Sequence, residues 1–265
     1  MTLGDTLRSY RTELERQVRP DNVPPASVGV AAVSLLLWAV LLGGWLPTPS
    51  MPGPMAVPGV PEAMGTGNGL VGVAAYLLVW GVMMSAMMYP AMLPTARRYV
   101  DALDEADARS TGTFVATLFL GYSLVWTATG VVPLLVDALV GIRGLVAGHG
   151  TLVLAGLGLL IAGYQQSDYK RDALAGCCRD VVVSDRSFTG ALERGFDHGK
   201  QCVRATWPFF ALMVAAGSMN PVVMLGLTVV VAAERLPAWG EEVSTAIGIV
   251  SAAASTVLVL TVLLP

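Results

Sequence analysis

The sequence is poor in charge, histidine and cysteine, and each shortage narrows what the protein can be. Of its 265 residues, 13% are charged and 54% are hydrophobic, and the mean hydropathy is +0.64. A soluble domain carries about 25% charged residues, so this composition indicates a membrane protein. The three cysteines are an odd number within one polar segment, a pattern that argues against a disulfide framework.

The familiar catalytic signatures are absent as well. The chain contains no G-x-x-x-x-G-K-[ST], H-E-x-x-H or G-x-S-x-G motif, and its two histidines offer no evident catalytic constellation. No basic tract with interleaved aromatic residues indicates nucleic-acid binding. We therefore lean against an enzyme and expect no nucleic-acid partner. The arginines of the polar loops are better suited to anionic lipid head groups.

Long apolar runs are what the chain has in abundance. A spanning helix needs roughly 20 mostly apolar residues, and six candidates lie at 28–46, 70–92, 114–139, 150–167, 205–235 and 244–264. They predict an all-α polytopic membrane bundle of six transmembrane helices, a single domain over 28–265 with the lipid bilayer as its partner. Residues 1–27 predict a cytoplasmic amphipathic segment lying on the membrane surface, although a short solvated helix or frayed terminus fits the pattern equally well.

The basic residues indicate the direction of the spans. Fourteen lysines and arginines fall in the N-terminal segment, the second loop and loop 168–204, and two, Arg143 and Arg235, fall in the other loops. Because Lys and Arg accumulate in cytoplasmic loops, we expect a multi-pass protein of the inner (plasma) membrane. Both termini and loop 168–204 would then be cytoplasmic. No cleavable signal is evident before the first apolar run.

The fifth predicted span differs from the others in its middle. It would be about 46 Å long by helix rise, against a hydrocarbon core of about 30 Å. Its centre reads Gly217-Ser218-Met219-Asn220-Pro221. Pro221 removes a backbone donor and Asn220 can cap a new helix. We therefore expect this span to be kinked or broken near Asn220–Pro221, with Glu234 and Arg235 at its outer end.

Methionine is concentrated in WGVMMSAMMYP, the stretch from Trp80 to Pro90. Met83 and Met87 are four residues apart, as are Met84 and Met88, so a helix would carry two adjacent methionine rows. Thioethers bind Cu(I), but methionine is also a common packing residue. Spacing alone favours packing.

A second candidate site combines sulfur and nitrogen. His198 and Cys202 are four residues apart and point the same way on a predicted helix. With Cys177 or Cys178 they would offer three or four ligands suited to zinc or copper; the alternative is ordinary cysteines and a surface histidine. By the predicted direction of the spans, this set lies near the cytoplasmic face together with the methionine rows, Gln165 and Trp207.

The motifs together resemble those of a domain-of-unknown-function family described as predicted metal-binding integral membrane proteins. The stretch from Trp80 to Pro90 is similar to its W-x-x-M-x-x-A-M-M-x-P signature, and further blocks follow in order over roughly 70–237. These blocks include Gly163-Tyr164-Gln165, Lys170, Cys178, His198-Gly199, Cys202, Trp207, Met219-Asn220 and Glu234. The chain has Ala173, Ala205 and Thr206 where the family pattern has cysteine. The resemblance implies metal binding within a membrane helix bundle.

The leading hypothesis is a membrane protein that binds or hands on a transition metal, copper or zinc, at its cytoplasmic face. One alternative is a structural or assembly subunit of a membrane complex, with a membrane protein as partner. In that case small residues such as Gly158 and Ala162 would serve close helix packing. The other alternative is a small-solute or ion transporter built around the break at Asn220.

Overall fold

A computed structural model of the protein describes residues 25–103, 108–178, 187–235 and 239–264, and within these ranges the chain is helical without a strand. The predicted all-α bundle is therefore confirmed. The predicted N-terminal segment lies almost entirely outside the described residues. In chain order the elements are α1 (Pro25–Leu42), α2 (Val60–Gly67), α3 (Gly69–Met88), a 3-10 turn (Pro90–Met92), α4 (Leu93–Ala102), α5 (Ala108–Thr129), α6 (Val131–Val140), α7 (Ile142–Gln165), α8 (Asp168–Cys178), α9 (Phe188–Gly217), α10 (Pro221–Arg235) and α11 (Gly240–Leu263).

Four stretches of these helices are long and apolar enough to cross a membrane. They are Gly69–Met88, Arg109–Val140, Ile142–Gln165 and Gly240–Leu263. α1 is apolar over Val28–Leu42 but shorter. In the third and fourth stretches only 11% of the apolar window is buried inside the protein, so most of those apolar side chains face outward.

The bundle has two polar ends, which we call the Lys170 end and the Glu62 end. At the first, Lys170 Nζ lies 2.8 Å from Glu234 Oε2 and donates to Ala205 O at 2.7 Å. At the second, Ser218 Oγ donates to Glu62 Oε1 at 2.8 Å. Because α9 passes Ala205 and ends just before Ser218, it connects the two ends.

The predicted fifth span consists of two antiparallel helices rather than one. α9 reaches the Glu62 end at Gly217, and α10 returns to the Lys170 end, where Glu234 and Arg235 are buried. The prediction that these two residues lie at the outer end is wrong. Gly217 has a φ of +108°, and this left-handed turn reverses the chain instead of bending it.

The predicted break near Asn220–Pro221 is confirmed. Asn220 Oδ1 accepts a hydrogen bond from Val222 N at 3.0 Å, so the side chain caps the start of α10. Asn220 therefore serves the backbone at the Glu62 end, which is the local role that the sequence left open for it.

α1 runs from the Lys170 end towards the Glu62 end. Ser34 Oγ donates to Ala86 O at 2.9 Å, and Ser50 Oγ donates to Asn68 Oδ1 at 2.8 Å. If α1 ran parallel to α3, its end would lie about 39 Å from Asn68 by helix rise. Residues 43–50 can reach at most about 29 Å, so α1 is antiparallel to α3.

α11 also runs towards the Glu62 end. Gly240 lies against Glu234, Gly248 lies against Gln165, and Gly158 of α7 lies against Ser255. α11 is therefore antiparallel to α7 and leaves the Lys170 end. The described chain begins at one end of the bundle and finishes at the other, whereas the predicted six-span topology has both termini on one side.

Methionine side chains fill much of the core. The buried cluster is continuous and includes nine of the chain's twelve methionines: Met64, Met83, Met84, Met87, Met88, Met92, Met213, Met219 and Met224. α5 and α9 approach closely beside this cluster at Gly195, where a Cβ would collide with Leu118 O. This crossing brings Tyr122 of α5 next to Cys202 of α9.

Candidate metal-binding site

WGVMMSAMMYP forms the second half of α3 and the following turn, inside the bundle. Trp80 is buried, and its Nε1 donates to Trp126 O and to Thr129 Oγ1, both at 3.1 Å. Pro90 begins the 3-10 turn that ends the helix. Both methionine rows are fully enclosed, with side chains no more than 1% exposed: Met83, Met84, Met87 and Met88.

Cys202 is a free, fully buried thiol on α9. Tyr122 Oη lies 2.9 Å from its Sγ. The guanidinium of Arg235 donates to the same Sγ and also, at 3.2 Å, to Cys202 O. The sulfur therefore has a hydroxyl and a cation as direct neighbours, and α5, α9 and α10 all contribute to its surroundings.

His198 lies one turn before Cys202, on the polar first half of α9. Its ring is tilted against Tyr122 with the centroids 5.7 Å apart. Its Nε2 is buried and has no hydrogen-bond partner within the described part of the chain. Burial, together with the positive charges of Arg235 and Arg98, lowers the pKa of His198 to about 3. The imidazole is therefore neutral near pH 7, which is the form that binds metal ions.

The methionine rows and the thiol belong to the same buried cluster. α3 approaches the thiol through Tyr89, whose ring centroid lies 6.5 Å from that of Tyr122. Tyr122 in turn contacts both Cys202 and His198. Tyr122 therefore connects Tyr89, the residue after α3, with Cys202 and His198.

Two further predicted ligands cannot be placed relative to this site. The side chains of Cys177 and Cys178, at the end of α8, lie outside the described residues. Among the residues that are described, no three histidine, cysteine, aspartate or glutamate side chains form a group that could hold a metal ion. The described donors near the core are thus a thiol, an imidazole and thioethers, a set suited to Cu(I) rather than to a four-ligand zinc site.

Gln165 and Trp207 lie at the Lys170 end in different settings. Gln165 is buried and its Nε2 donates to Glu234 Oε1. Trp207 is 41% exposed, and its ring packs edge-on against Tyr164 with the centroids 5.7 Å apart. Gln165 therefore belongs to a buried polar network, whereas Trp207 belongs to the surface.

An ion pair at this end was not singled out from the sequence. Lys170 and Glu234 have side chains with 0% exposure, and the ammonium also lies 5.4 Å from the ring centroid of Phe209. The sequence does show a lysine and a glutamate next to apolar runs, and this pattern was the available signal for a buried ion pair. Because we predicted one fifth span, we expected the two residues on opposite sides of the membrane, and the sequence therefore did not predict their ion pair.

Comparison with known proteins adds one finding. Residues 77–258 match the family model described as PpoB2, copper chaperone. No curated protein and no solved structure matches the chain. The match covers more than half of the chain and includes the methionine rows, Cys202 and the Lys170–Glu234 pair.

Proposed function

The chain belongs to this copper chaperone family, and from that premise we propose that it is an integral membrane protein that binds Cu(I) and hands it on. Copper is its cargo rather than a resident cofactor. The observation that carries the proposal is the single buried cluster that contains nine methionines and the thiol of Cys202. Thioether and thiolate ligands select Cu(I) over harder cations.

The first binding site in this proposal lies at the Lys170 end. Cys202 supplies a sulfur ligand and His198 supplies a nitrogen, Nε2, that has no hydrogen-bond partner among the described residues. Arg235 and Tyr122 hold the sulfur in place through their hydrogen bonds. From there Met84 and Met88 continue the series of soft donors along α3, so that copper can exchange ligands without meeting water.

The outward-facing apolar surface supports a membrane location. The most apolar windows of α7 and α11 are only 11% buried within the protein. Soluble monomers rarely expose contiguous apolar patches larger than a few hundred Å². A bilayer would cover these helices, and the polar first half of α9 would remain at the cytoplasmic face, as the basic residues indicate.

Two variants test the proposal through copper binding by the full-length protein in detergent. Met84→Leu combined with Met88→Leu removes two sulfurs at nearly constant volume, and Cys202→Ser removes the thiol but keeps a hydrogen-bonding group. We expect each variant to bind Cu(I) at least tenfold more weakly than the wild type, measured by competition with a chromogenic Cu(I) chelator under reducing, anaerobic conditions.

Met51→Leu is the matched control, because Met51 is only partly buried at the edge of the cluster. It should bind copper as the wild type does, and all variants should melt within a few degrees of it. A wild-type protein that carries no copper after loading would contradict the proposal. So would a Met84→Leu/Met88→Leu variant with wild-type affinity.

A further inference from the structure

A cavity of about 920 Å³ lies between α1, α3, α4 and α5, and none of the proposed copper ligands lines it. It opens at the outer surface of the bundle, since four of the apolar side chains that line it are 45–49% exposed: Val33, Leu78, Leu120 and Leu124. Small-molecule sites commonly have volumes of about 300–1,000 Å³ and a few polar groups in an apolar lining. The cavity therefore has the size of a ligand site.

Three hydroxyl groups that we call the hydroxyl cluster, those of Ser85, Tyr89 and Ser123, line this cavity. Ser85 Oγ donates to Ser123 Oγ at 3.0 Å, and Tyr89 Oη lies 2.8 Å from the same oxygen. These side chains form no other hydrogen bond among the described residues. Since three O–H donors share two hydrogen bonds, one O–H, of Tyr89 or of Ser123, has no acceptor. Such a donor is costly in an apolar environment, and a ligand that carries an acceptor atom would satisfy it.

The hydroxyl cluster lies at the depth where the hydrocarbon core of a bilayer would end. α3 has 20 residues, and by helix rise it is about 30 Å long, which equals the thickness of the hydrocarbon core. Tyr89 follows Met88, the last residue of α3. In a phospholipid, ester carbonyls join the apolar chains to the polar head group at this depth. An ester carbonyl is therefore the acceptor that a bilayer offers to the hydroxyl cluster.

Positive charge lies near the other end of the cavity, on α4 and at the start of α5. Val100 of α4 lines the cavity, and Arg97 lies three residues before it on the same helix face. Arg109 lines a smaller hollow that shares Ala116 and Leu120 with the cavity. Basic residues at a membrane surface attract the head groups of anionic lipids. The charge at this end therefore complements a phosphate group.

We propose that the cavity binds one glycerophospholipid, with an acyl chain in its apolar part and an ester carbonyl that accepts from the free O–H of the hydroxyl cluster. A helix of a second copy of this chain is the other occupant that an apolar groove could hold. The backbone carbonyls of a helix are already used by its own hydrogen bonds, so the free O–H favours the lipid. This inference rests on the proposed membrane location and not on copper binding.

The test is lipid binding by the full-length protein in detergent, followed by native mass spectrometry during a lipid titration. Two probes differ only at the proposed contact: a diacyl phosphatidylglycerol and its dialkyl ether analogue, which lacks both carbonyls. We expect the wild type to bind one diacyl lipid about threefold to tenfold more tightly than the ether lipid, the effect of one hydrogen bond. The triple variant Ser85→Ala/Tyr89→Phe/Ser123→Ala should bind both equally, whereas loss of a single hydroxyl would leave another O–H free.

Val82→Trp tests the cavity itself, because Val82 of α3 lies in its lining. It should weaken the binding of both lipids at least tenfold. Val71→Trp is the matched control, since Val71 of α3 is 72% exposed and is not part of the lining. It should bind both lipids as the wild type does.

Three results would overturn the proposal: wild-type lipid affinity in Val82→Trp, equal affinity of the wild type for the ester and ether lipids, or a dimer that Val82→Trp disperses and Val71→Trp does not. If Val82→Trp fails to fold, the comparison of the two lipids on the wild type decides alone. Each of these results leaves the copper proposal standing, because chelator competition measures copper binding separately.

Discussion

A charge buried in an apolar bundle is costly unless an opposite charge and hydrogen bonds offset the cost, and Lys170 and Glu234 form such a pair. Their contact of 2.8 Å joins α8 to α10, and Gln165 and Ala205 O supply further hydrogen bonds. Removing one partner of a buried pair leaves the other uncompensated, whereas replacing both by apolar residues is often neutral.

We therefore predict that Lys170→Met destabilises the protein by about 3–5 kcal/mol, measured as the free energy of unfolding in detergent. The double variant Lys170→Met/Glu234→Met should recover most of that loss. Equal instability of the single and double variants would show that the pair is not the origin of the effect. Lys200→Met is the control, because Lys200 forms an exposed pair with Asp197 whose loss costs about 1 kcal/mol or less.

At the same scale, the sequence could relate residues within one helix but not residues of different helices. The spacing of Met84 and Met88, and of His198 and Cys202, placed each pair on one helical face. The partners of Cys202 could not be predicted, because Arg235 reaches the thiol only after α10 has turned back. A contact between residues of different helices depends on the whole topology, which spacing within one helix does not specify.

At the level of elements, close packing between helices is the main feature that positions them. α5 and α9 approach each other at Gly195, where a Cβ would collide with Leu118 O and come within 3.0 Å of Tyr122 N. The neighbours are backbone atoms and cannot move aside as a flexible side chain could. The separation of the two helices, and with it the contact between Tyr122 and Cys202, depends on this glycine.

Gly195→Ala should therefore force α5 and α9 apart and destabilise the protein by roughly 1–3 kcal/mol. Cu(I) affinity should fall as well, since Tyr122 and Cys202 separate. Gly112→Ala is the matched control on α5, because nothing lies within 4 Å of its added Cβ. Thermal melting and chelator competition measure the two effects, and a Gly195→Ala variant that behaves like Gly112→Ala would exclude a role for this crossing.

The element that departed from expectation was the fifth span. Asn220 and Pro221 predicted a break correctly, since their effects on the backbone are local. The reversal at the break was not predictable, because Gly217 can adopt either sign of φ at little cost. Contacts from distant parts of the chain favour the hairpin: that of Gly217 with Ala56 O, the bond from Ser218 to Glu62 and the ion pair of Lys170 with Glu234.

For the molecule as a whole, the hairpin changes the end of the bundle at which α11 starts. The count of basic residues treated Arg235 as part of an outer loop, but this residue is buried beside Cys202 at the Lys170 end. With α10 returning to that end, α11 starts there and finishes at the opposite one. The long apolar helices were therefore predictable from the sequence, whereas the end of the bundle at which the described chain finishes depended on a single turn.

Labelling of introduced cysteines tests this arrangement in a membrane. In a chain with Cys177 and Cys178 replaced by serine, Glu242→Cys marks the start of α11 and Leu264→Cys marks the residue after its end. Both positions are exposed. If the Lys170 end is cytoplasmic, a membrane-impermeant maleimide added to intact cells should label Leu264→Cys and not Glu242→Cys, and should label both after lysis. Labelling of neither variant in intact cells would instead support a cytoplasmic end of α11, and hence a single pass for α9 and α10 together.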